Sequence, residues 1–350
     1  MERFQTMKLD ILTRYGDLGP SSRCRYYDYL ECFKAAGIET KIRPMLNNSY
    51  VRGLYCGKSK LNLRIPPAYL KRFLQAAFSG KRLLLEYELF PYLPWLFDHF
   101  FLKNRKYVLN FDDNVWDKYA GKKMLANKFD KLCSNADGII VANDFLQEKV
   151  QHLNSNIIKI PTAVNLDKYN IQTDKFKNFT FAWIGTPVTY KYLLRFAESL
   201  RMMLEATDGE LLVIAKKELE KEAIPGLNMH FVDWSEKIEA ELLKRSHAGI
   251  MPLTDDSFSQ GKSAFKIIQY FAAGIPVIAS PVGANTKVVE DSVNGLLANT
   301  PEEWEGAAVS LKINHELYNK IASGAKESAI QYSISHWAPA YCDFLKKALK

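Results

Sequence analysis

The sequence comprises 350 residues, of which 47% are hydrophobic, 13% aromatic and 25% charged, and its formal net charge is +8. This apolar and aromatic content can bury enough surface for stable folding, which excludes an intrinsically disordered chain. Because one hydrophobic core rarely serves more than about 250 residues, the length predicts two domains.

The first half of the chain alternates short apolar runs with amphipathic segments, a pattern typical of βαβ units and parallel sheets. Helices are predicted at 23–36 and 126–133, and a further strand begins at Ile38, after a glycine C-cap at Gly37. The other strands predicted in this half are 8–13, 83–87, 107–111, 138–141 and 157–160.

The second half repeats this pattern after a polar stretch at 165–178, which predicts a joint between two domains. Helices are predicted at 192–204, 236–244, 263–273 and 301–311, and strands at 180–184, 210–214, 229–231, 249–251, 276–279 and 295–297. The fold class is therefore α/β, with two Rossmann-like, doubly wound domains at residues 1–168 and 169–331. Such domains are expected to face a central cleft and to bind ligands at the carboxyl ends of their strands.

Several familiar classes of protein are disfavoured. The five cysteines include no CxxC pair, and their odd number argues against a disulfide scaffold or a zinc site, so we expect a reducing cytoplasm and no metal. Residues 1–10 contain no apolar run, so no signal peptide is predicted. The most apolar stretch, 83–102, contains three acidic residues and two prolines, which disfavours a membrane-spanning helix. The first strand is not followed by G-x-G-x-x-G, which disfavours a dehydrogenase.

Residues 41–85 are the most basic part of the chain, with ten Lys and Arg and no acidic residue. Aromatic and aliphatic side chains are interleaved with them, as on surfaces that dock on an anionic bilayer or hold a phosphorylated acceptor. Nucleic acid and a plain solvated face are the alternatives. We expect peripheral attachment at the inner face of the membrane and no nucleic-acid partner.

The stretch 249–297 is the part of the sequence most informative about function, because a strand, a turn at Gly261 and a helix follow one another there. A glycine turn that leads into a helix presents unpaired backbone amides and the positive end of the helix dipole, which favour an anion. Lys262 lies at this end with Ser263 and Ala264, and Lys266 follows one turn later on the same face. These groups suit a diphosphate, although paired helix lysines are more often solvated.

This segment resembles the donor domain of the family 4 glycosyltransferases, strongly over residues 180–300 and more loosely over the first domain. The resemblance implies a bacterial, retaining hexosyltransferase with the GT-B fold and without a metal or cofactor, whose donor is a nucleotide sugar of the UDP or GDP type. It also implies that a final helix at 332–350 returns to the N-terminal domain. The residues that carry it are the run QYFAAGIPVIAS at 269–280, then 281–283, Glu290 and 294–297, with 181–185, 232–234 and 332–338.

Two departures from the family pattern concern the donor. The family's Glu-x7-Glu element places one carboxylate near the donor sugar and one on the ribose, and these positions here are Gly261 and Gln269. Gln269 can still hydrogen-bond a ribose hydroxyl through its amide. After the strand that ends at Gly185, the family's phosphate-binding Arg and Lys align with Thr186 and Lys191, so we expect Lys262 or Lys266 to supply the missing charge.

In the first domain, a loop at 16–25 is predicted to enter a helix with exposed amides and positive charge. The residues expected to contact phosphate or acceptor there are Gly19, Ser22, Arg23 and Arg25. A plain strand–helix turn with a serine N-cap is the alternative.

Carboxylates follow two strands of the first domain. Asp112 takes the place of a family histidine beside the acceptor, where it can orient or partly deprotonate a hydroxyl. Asp113 better suits an N-cap for a helix starting near 115. Glu86 and Glu88, on either side of a tyrosine at another strand end, are weaker candidates.

These observations predict a glycosyltransferase that moves a sugar from a nucleotide-sugar donor to a carbohydrate or lipid-linked acceptor in cell-surface glycan synthesis. Lys191, Lys262 and Lys266 would stabilise the leaving diphosphate, and Asp112 would face the acceptor. A nucleotide-sugar epimerase or hydrolase would instead form product without an acceptor. A non-catalytic glycan- or membrane-binding homologue would bind no nucleotide.

Overall fold

The computed structural model describes residues 6–55 and 61–350, so Lys58 and Lys60 of the basic stretch lie outside the described residues. The chain divides into two compact units. The first runs to Ala163 and includes Ile334–Lys350, and the second is Val164–Ser333. The division thus falls at 163/164, close to the predicted 168/169.

The described residues contain twelve strands in two sheets. The strands are β1 (Met7–Leu12), β2 (Ile38–Ile42), β3 (Arg82–Glu86), β4 (Lys106–Phe111), β5 (Gly138–Val141), β6 (Ile157–Lys159), β7 (Thr180–Ile184), β8 (Glu210–Ala215), β9 (Met229–Asp233), β10 (Ala248–Met251), β11 (Val277–Ala279) and β12 (Leu296–Leu297).

Helices connect these strands, and five short 3-10 turns accompany them in the described residues. The α-helices are α1 (Pro20–Arg25), α2 (Leu30–Ala35), α3 (Asn48–Tyr55), α4 (Ile65–Ala77), α5 (Trp95–Leu102), α6 (Lys128–Ser134), α7 (Asp144–Val150), α8 (Pro187–Arg195), α9 (Ala197–Thr207), α10 (Glu236–Arg245), α11 (Ser257–Gln260), α12 (Phe265–Ala273), α13 (Asn285–Val288), α14 (Pro301–Ile313), α15 (His315–Gln331) and α16 (Ile334–Ala348).

Both sheets are parallel and doubly wound, which confirms the predicted fold class of two Rossmann-like domains. The first has the order β2-β1-β3-β4-β5-β6, and the second β12-β11-β10-β7-β8-β9. Strand order reverses between β1 and β3 in the first unit and between β7 and β10 in the second. Ligands of such sheets bind beyond the carboxyl ends of the strands at these reversals.

The strands are apolar runs because helices cover both faces of each sheet. β5 and β7 are buried along their whole length, which is the pattern of central parallel strands. The C-terminal helix α16 belongs to the first unit, where Tyr341 is buried. The Tyr341 hydroxyl accepts a hydrogen bond from Asn110 at 2.8 Å and donates one to the carbonyl oxygen of Arg25 at 3.2 Å.

Three predicted helices differ from the observed ones. The segment 23–36 forms α1 and α2 with a 3-10 turn between them, because Tyr26 leaves helical geometry (φ −135°, ψ −58°) and its ring is buried. The segment 192–204 forms α8 and α9, and α8 begins earlier, at Pro187, where the proline ring suits the first helical position. The helix expected near 115 is a 3-10 turn at Trp116–Lys118.

None of the helices in the described parts of the chain is both long and apolar enough to cross a lipid bilayer.

Tyr270 of α12 packs directly on Gly249 of β10. A Cβ at Gly249 would lie 2.2 Å from the Tyr270 ring, so we expect Gly249→Ala to destabilise the second unit by about 1–3 kcal/mol through overpacking. Gly306 is the control, because it is exposed inside α14 and a Cβ added there would meet no atom within 4 Å. Gly306→Ala should stabilise by about 0.5–1 kcal/mol. Urea unfolding measures both changes, and equal stability of Gly249→Ala and wild type would contradict this packing.

Candidate functional site

Gly185 follows β7, at the point where the strand order of the second sheet reverses. Its backbone approaches the indole of Trp183 so closely that a Cβ would lie 2.3 Å from the ring. The Nζ atom of Lys266 lies 4.6 Å from the centroid of the same indole, within cation–π distance. The missing side chain at Gly185 therefore leaves room for the ring that supports one of the predicted site lysines.

Lys191 and Lys262, which are distant in the sequence, lie against the same two aromatic rings. Lys191 Nζ is 5.1 Å from the ring centroid of Tyr192 and 6.0 Å from that of Phe258. Lys262 Nζ is 5.8 Å from the Tyr192 centroid and 4.4 Å from the Phe258 centroid. The connections after β7 and β10 thus bring two of the predicted lysines together.

Lys266 completes this group of three lysines. Burial lowers the pKa of Lys266 well below its ordinary value, and the positive charge of Lys262 lowers it further. An anion bound beside these ammonium groups would stabilise their charged forms. The arrangement therefore suits the two negatively charged phosphates of a diphosphate.

The turn before α12 differs in detail from the predicted anion site. Ala264 is buried and has left-handed backbone geometry (φ +53°), which is unfavourable for alanine and is characteristic of strained functional segments. The backbone amide of Lys262 donates to the carbonyl oxygen of Ser259 at 3.2 Å. The Lys262 amide thus has a partner within the protein, although the sequence predicted a free donor there. Ser263, the next residue, is half-buried.

Thr186 caps the start of α8. Its backbone amide donates to Thr189 Oγ1 at 3.0 Å, and the Thr189 hydroxyl donates back to the Thr186 carbonyl oxygen at 3.0 Å. The threonine therefore organises the helix that carries Lys191, and it supplies no positive charge of its own.

Gln269 lies in the middle of α12 and is only 4% exposed. Its Nε2 donates to Oε1 of Glu239 at 2.7 Å. Glu239 was not among the predicted site residues, because a glutamate on an amphipathic helix such as α10 normally faces solvent. Its only sequence signal is its place shortly after Val232-Asp233-Trp234, a run that the family resemblance includes.

In the first unit, a network of buried charges lies at the carboxyl end of the sheet. Glu88 Oε1 is 2.8 Å from Arg14 Nη2, and Glu88 Oε2 is 2.7 Å from Lys128 Nζ. Lys128 also pairs with Asp98 at 2.9 Å, and Tyr119 donates to Glu88 Oε1 at 2.7 Å. Of this group, Glu88 alone was a predicted site candidate, since its partners come from segments far apart in the chain.

Asp112 follows β4 and is 7% exposed. The hydroxyl of Tyr87 donates to its Oδ1 atom. Tyr87 itself has a positive φ of 65°, a strained conformation for a residue with a side chain. Asp112 is thus held at the carboxyl end of the sheet with one carboxylate oxygen engaged, while Asp113 beside it is half-buried.

The predicted acceptor loop is built into the first unit. Ser22 donates to Glu86 Oε2 at 2.6 Å, and Arg25 is 2% exposed, with Nε donating to Asn110 Oδ1 at 3.0 Å. Arg25 also donates to the carbonyl oxygen of Ile160 at 2.6 Å. Because these donors are satisfied internally, the alternative of a structural strand–helix turn describes Ser22 and Arg25 better than contact with an anion.

The other two residues of this loop that were expected to contact phosphate or acceptor, Gly19 and Arg23, are also buried. A Cβ at Gly19 would lie 2.5 Å from Cβ of Tyr15, so only glycine fits there. Arg23 is 6% exposed. The helix that they enter, α1, has only six residues, which makes it a weak anion site.

Residues 178–313 match the family model described as glycosyl transferases group 1. A D-inositol 3-phosphate glycosyltransferase of Nocardioides sp. is 37% identical over 79 residues, which are 22% of this chain. The matched stretch spans only 17% of that curated relative.

Solved structures with the same fold cover nearly the whole chain. A glycosyltransferase from Rickettsia africae superimposes with a TM-score of 0.68 at 15% identity, covering 99% of this chain and 100% of that one. Anabaena HepE in complex with UDP-glucose has a TM-score of 0.66 at 13% identity, covering 97% and 100%. These likenesses show the fold, two Rossmann-like domains of the GT-B type.

The buried carboxyl group of Glu86 makes stability depend on pH. Burial raises its pKa to about 7 from an ordinary 4.5. The folded state therefore holds more protons than the unfolded state between pH 4.5 and 7, and this group makes the free energy of unfolding fall as pH rises through that range. Over the whole range the loss is about 3 kcal/mol.

Glu86→Gln should remove this dependence, because the amide oxygen still accepts hydrogen bonds and does not ionise. Urea unfolding from pH 4.5 to 8 would measure the difference between variant and wild type. The exposed Glu39→Gln is the control and should follow the wild type. Parallel pH curves for wild type and Glu86→Gln would show that Glu86 does not titrate in this range.

Proposed function

We propose that this chain is a glycosyltransferase that moves a hexosyl group from a nucleotide sugar to a carbohydrate or lipid-linked acceptor in cell-surface glycan synthesis. The observation that carries the proposal is the convergence of Lys191, Lys262 and Lys266 beyond β7 and β10. These lysines lie within the stretch that matches the glycosyltransferase family model. In that position they suit the diphosphate of a nucleotide-sugar donor.

During transfer, the bond between sugar C1 and the β-phosphate oxygen breaks, and its electron pair stays on the phosphate. The acceptor oxygen bonds to C1 and its proton passes to the departing phosphate oxygen, with retention of the anomeric configuration. Negative charge grows on the leaving diphosphate, so Lys191, Lys262 and Lys266 stabilise the transition state more than the ground state. This role requires neither a metal nor a further cofactor.

Other groups of the second unit contribute to donor binding. Gly185 and Thr186 shape the end of β7, and Ser263 and Ala264 form the turn before α12. Gln269 accepts a hydrogen bond from a ribose hydroxyl. A donor of the UDP or GDP type fits these roles, and the structural relative HepE was solved with UDP-glucose.

Asp112 is proposed to orient the acceptor hydroxyl from the carboxyl end of β4. The hydroxyl of Tyr87 holds its Oδ1 atom, which leaves Oδ2 as the atom that would accept a hydrogen bond from the acceptor. An epimerase or a hydrolase would need no such acceptor contact. Product formation in the absence of any acceptor would therefore favour those enzymes.

Removing one lysine charge should slow transfer strongly. We expect Lys262→Met and Lys266→Met each to lower kcat/KM by about 100-fold or more, as for the loss of one transition-state charge contact. Methionine keeps a long unbranched side chain beside Phe258 or Trp183 and removes the charge that lies against the ring. Lys320→Met is the matched control, because Lys320 is an exposed residue of α15 in the same unit.

The measurement pairs transfer assays with a thermal-shift series of UDP, GDP, CDP and ADP. Stabilisation of wild type by one nucleoside diphosphate, reduced in both site variants, is the expected result. Affinity should also increase as pH falls, because a bound anion raises the lowered pKa of Lys266. Wild-type turnover in both site variants would remove the lysines from the mechanism.

We also propose that the first unit attaches to an anionic membrane through an apolar patch made of α4 and α5. On α4, Leu70 is 64% exposed, and Phe78 at its end is 76% exposed. On α5, Leu96 is 71% and Phe100 66% exposed. Exposed apolar side chains of this size commonly mark interaction surfaces.

The two helices contribute to one continuous patch, since the rings of Phe73 and Phe97 are 6.4 Å apart. Lys103 Nζ lies 5.7 Å from the ring centroid of Phe100, and Arg64 and Lys71, just before and within α4, are exposed. Basic side chains beside exposed apolar ones are typical of surfaces that bind anionic lipid. The basic stretch contributes less than its composition suggests. Arg72 is buried, and Arg43 pairs with Asp10 at 2.5 Å.

Liposome sedimentation tests this attachment. Leu70→Gln together with Leu74→Gln should weaken binding to anionic vesicles at least about tenfold, since two apolar side chains leave the bilayer. The control is Ile313→Gln with Ile330→Gln, which removes two exposed apolar side chains of the second unit. Equal binding to neutral and anionic vesicles, or no effect of the α4 change, would contradict the proposal.

A further inference from the structure

Glu239 is held in place by side chains from three separate elements of the second unit. Trp234, which follows β9, donates its indole N–H to Oε2 at 2.5 Å. Tyr169, from the 3-10 turn at Leu166–Tyr169, donates its hydroxyl to Oε1 at 3.1 Å. Gln269 of α12 donates its Nε2 to the same Oε1 at 2.7 Å. Both oxygens of one carboxylate thus accept hydrogen bonds.

This arrangement decides which way the amide of Gln269 faces. A glutamine side chain has a donor end and an acceptor end of nearly the same shape, and either end can face a polar partner. A carboxylate accepts hydrogen bonds and donates none, so the NH₂ group of Gln269 must face Glu239. The carbonyl oxygen Oε1 of Gln269 therefore lies on the opposite side of the amide.

We propose that Glu239 is a positioning residue that fixes Gln269 with its carbonyl oxygen towards a ribose hydroxyl of the bound nucleoside diphosphate. This inference rests on the proposed function, in which Gln269 contacts the donor ribose. Glu239 itself touches no substrate in this assignment. Its effect passes through one hydrogen bond, at 2.7 Å, to the amide.

The same contact accounts for glutamine at a position where the family resemblance leads one to expect glutamate. A carboxylate at position 269 would lie within hydrogen-bond distance of the Glu239 carboxylate, and two such negative charges repel strongly. The negative charge is instead carried by Glu239. The pair of residues thereby retains one charge and one acceptor oxygen for the ribose.

Three variants separate positioning from simple structural support. In Glu239→Gln, the indole N–H of Trp234 can only donate a hydrogen bond, so the new amide oxygen must face Trp234. The new NH₂ group then faces Gln269. Gln269 must then turn over and present its NH₂ group to the ribose. Gln269→Glu brings two carboxylates together. The double variant, Glu239→Gln with Gln269→Glu, exchanges the two groups and restores an acceptor oxygen on the ribose side.

The measurement is the dissociation constant of each variant for the nucleoside diphosphate that binds the wild type and for its 2′,3′-dideoxy form. We expect Glu239→Gln to weaken binding of the ribose form by about 3- to 10-fold, the effect of one hydrogen bond. Binding of the dideoxy form should change little. The double variant should regain most of the ribose preference, whereas Gln269→Glu alone should bind better at lower pH.

Glu241→Gln is the matched control, because Glu241 lies on the same helix and pairs with Arg245 at 3.5 Å. It should bind both nucleotides as the wild type does. An unchanged ratio of ribose to dideoxy affinity in Glu239→Gln, or a folded double variant without recovery, would overturn the positioning role. If no nucleoside diphosphate bound the wild type, the proposed function would fail, and this inference with it.

Discussion

The hydroxyl of Tyr270 joins the two central strands of the second unit at the point where the strand order reverses. It accepts a hydrogen bond from the backbone amide of Ile184 at 3.2 Å and donates one to the carbonyl oxygen of Ile250 at 3.1 Å. The ring lies on Gly249, where no side chain intervenes. This contact sets the position and rotation of α12 against the sheet. As a result, Lys266, which lies one turn before Tyr270, meets Trp183, and Gln269 meets Glu239.

The first unit positions its polar groups differently, through charges buried under the carboxyl end of its sheet. Removing such charges from water costs free energy, and this cost is offset only where geometry and further hydrogen bonds are good. Glu88 meets that condition, since Arg14, Lys128 and Tyr119 all contact it. Burial still raises the pKa of Asp98 to about 6, in spite of the Lys128 charge. The network therefore fixes the positions of these buried charged groups in the first unit.

The limits of sequence reasoning are clearest in the basic stretch and the loop after β1. A count of Lys and Arg implies that every arginine is a surface charge. Arg72, however, is buried and donates to the backbone carbonyl oxygens of Arg43 and Thr13. Arg25 is likewise buried, and it donates to the side chain of Asn110 on β4 and to the carbonyl oxygen of Ile160 after β6. A buried arginine can be recognised only when its partners are known, and these partners lie up to 135 residues away in the chain.

The sequence by itself determined the fold class and most strand positions, because apolar periodicity and helix-end signals are local properties of the chain. The helix-end pattern also predicted Lys262 and Lys266 as site residues, whereas Lys191 was predicted from the family resemblance. The family resemblance also implied a carboxylate at position 269, where the sequence has the amide of Gln269. Only the tertiary structure decided that Lys191 and Lys262 share two aromatic rings and that Glu239 faces Gln269. The reason is physical: these contacts join side chains from different βα connections, and their distances follow from strand order and helix packing.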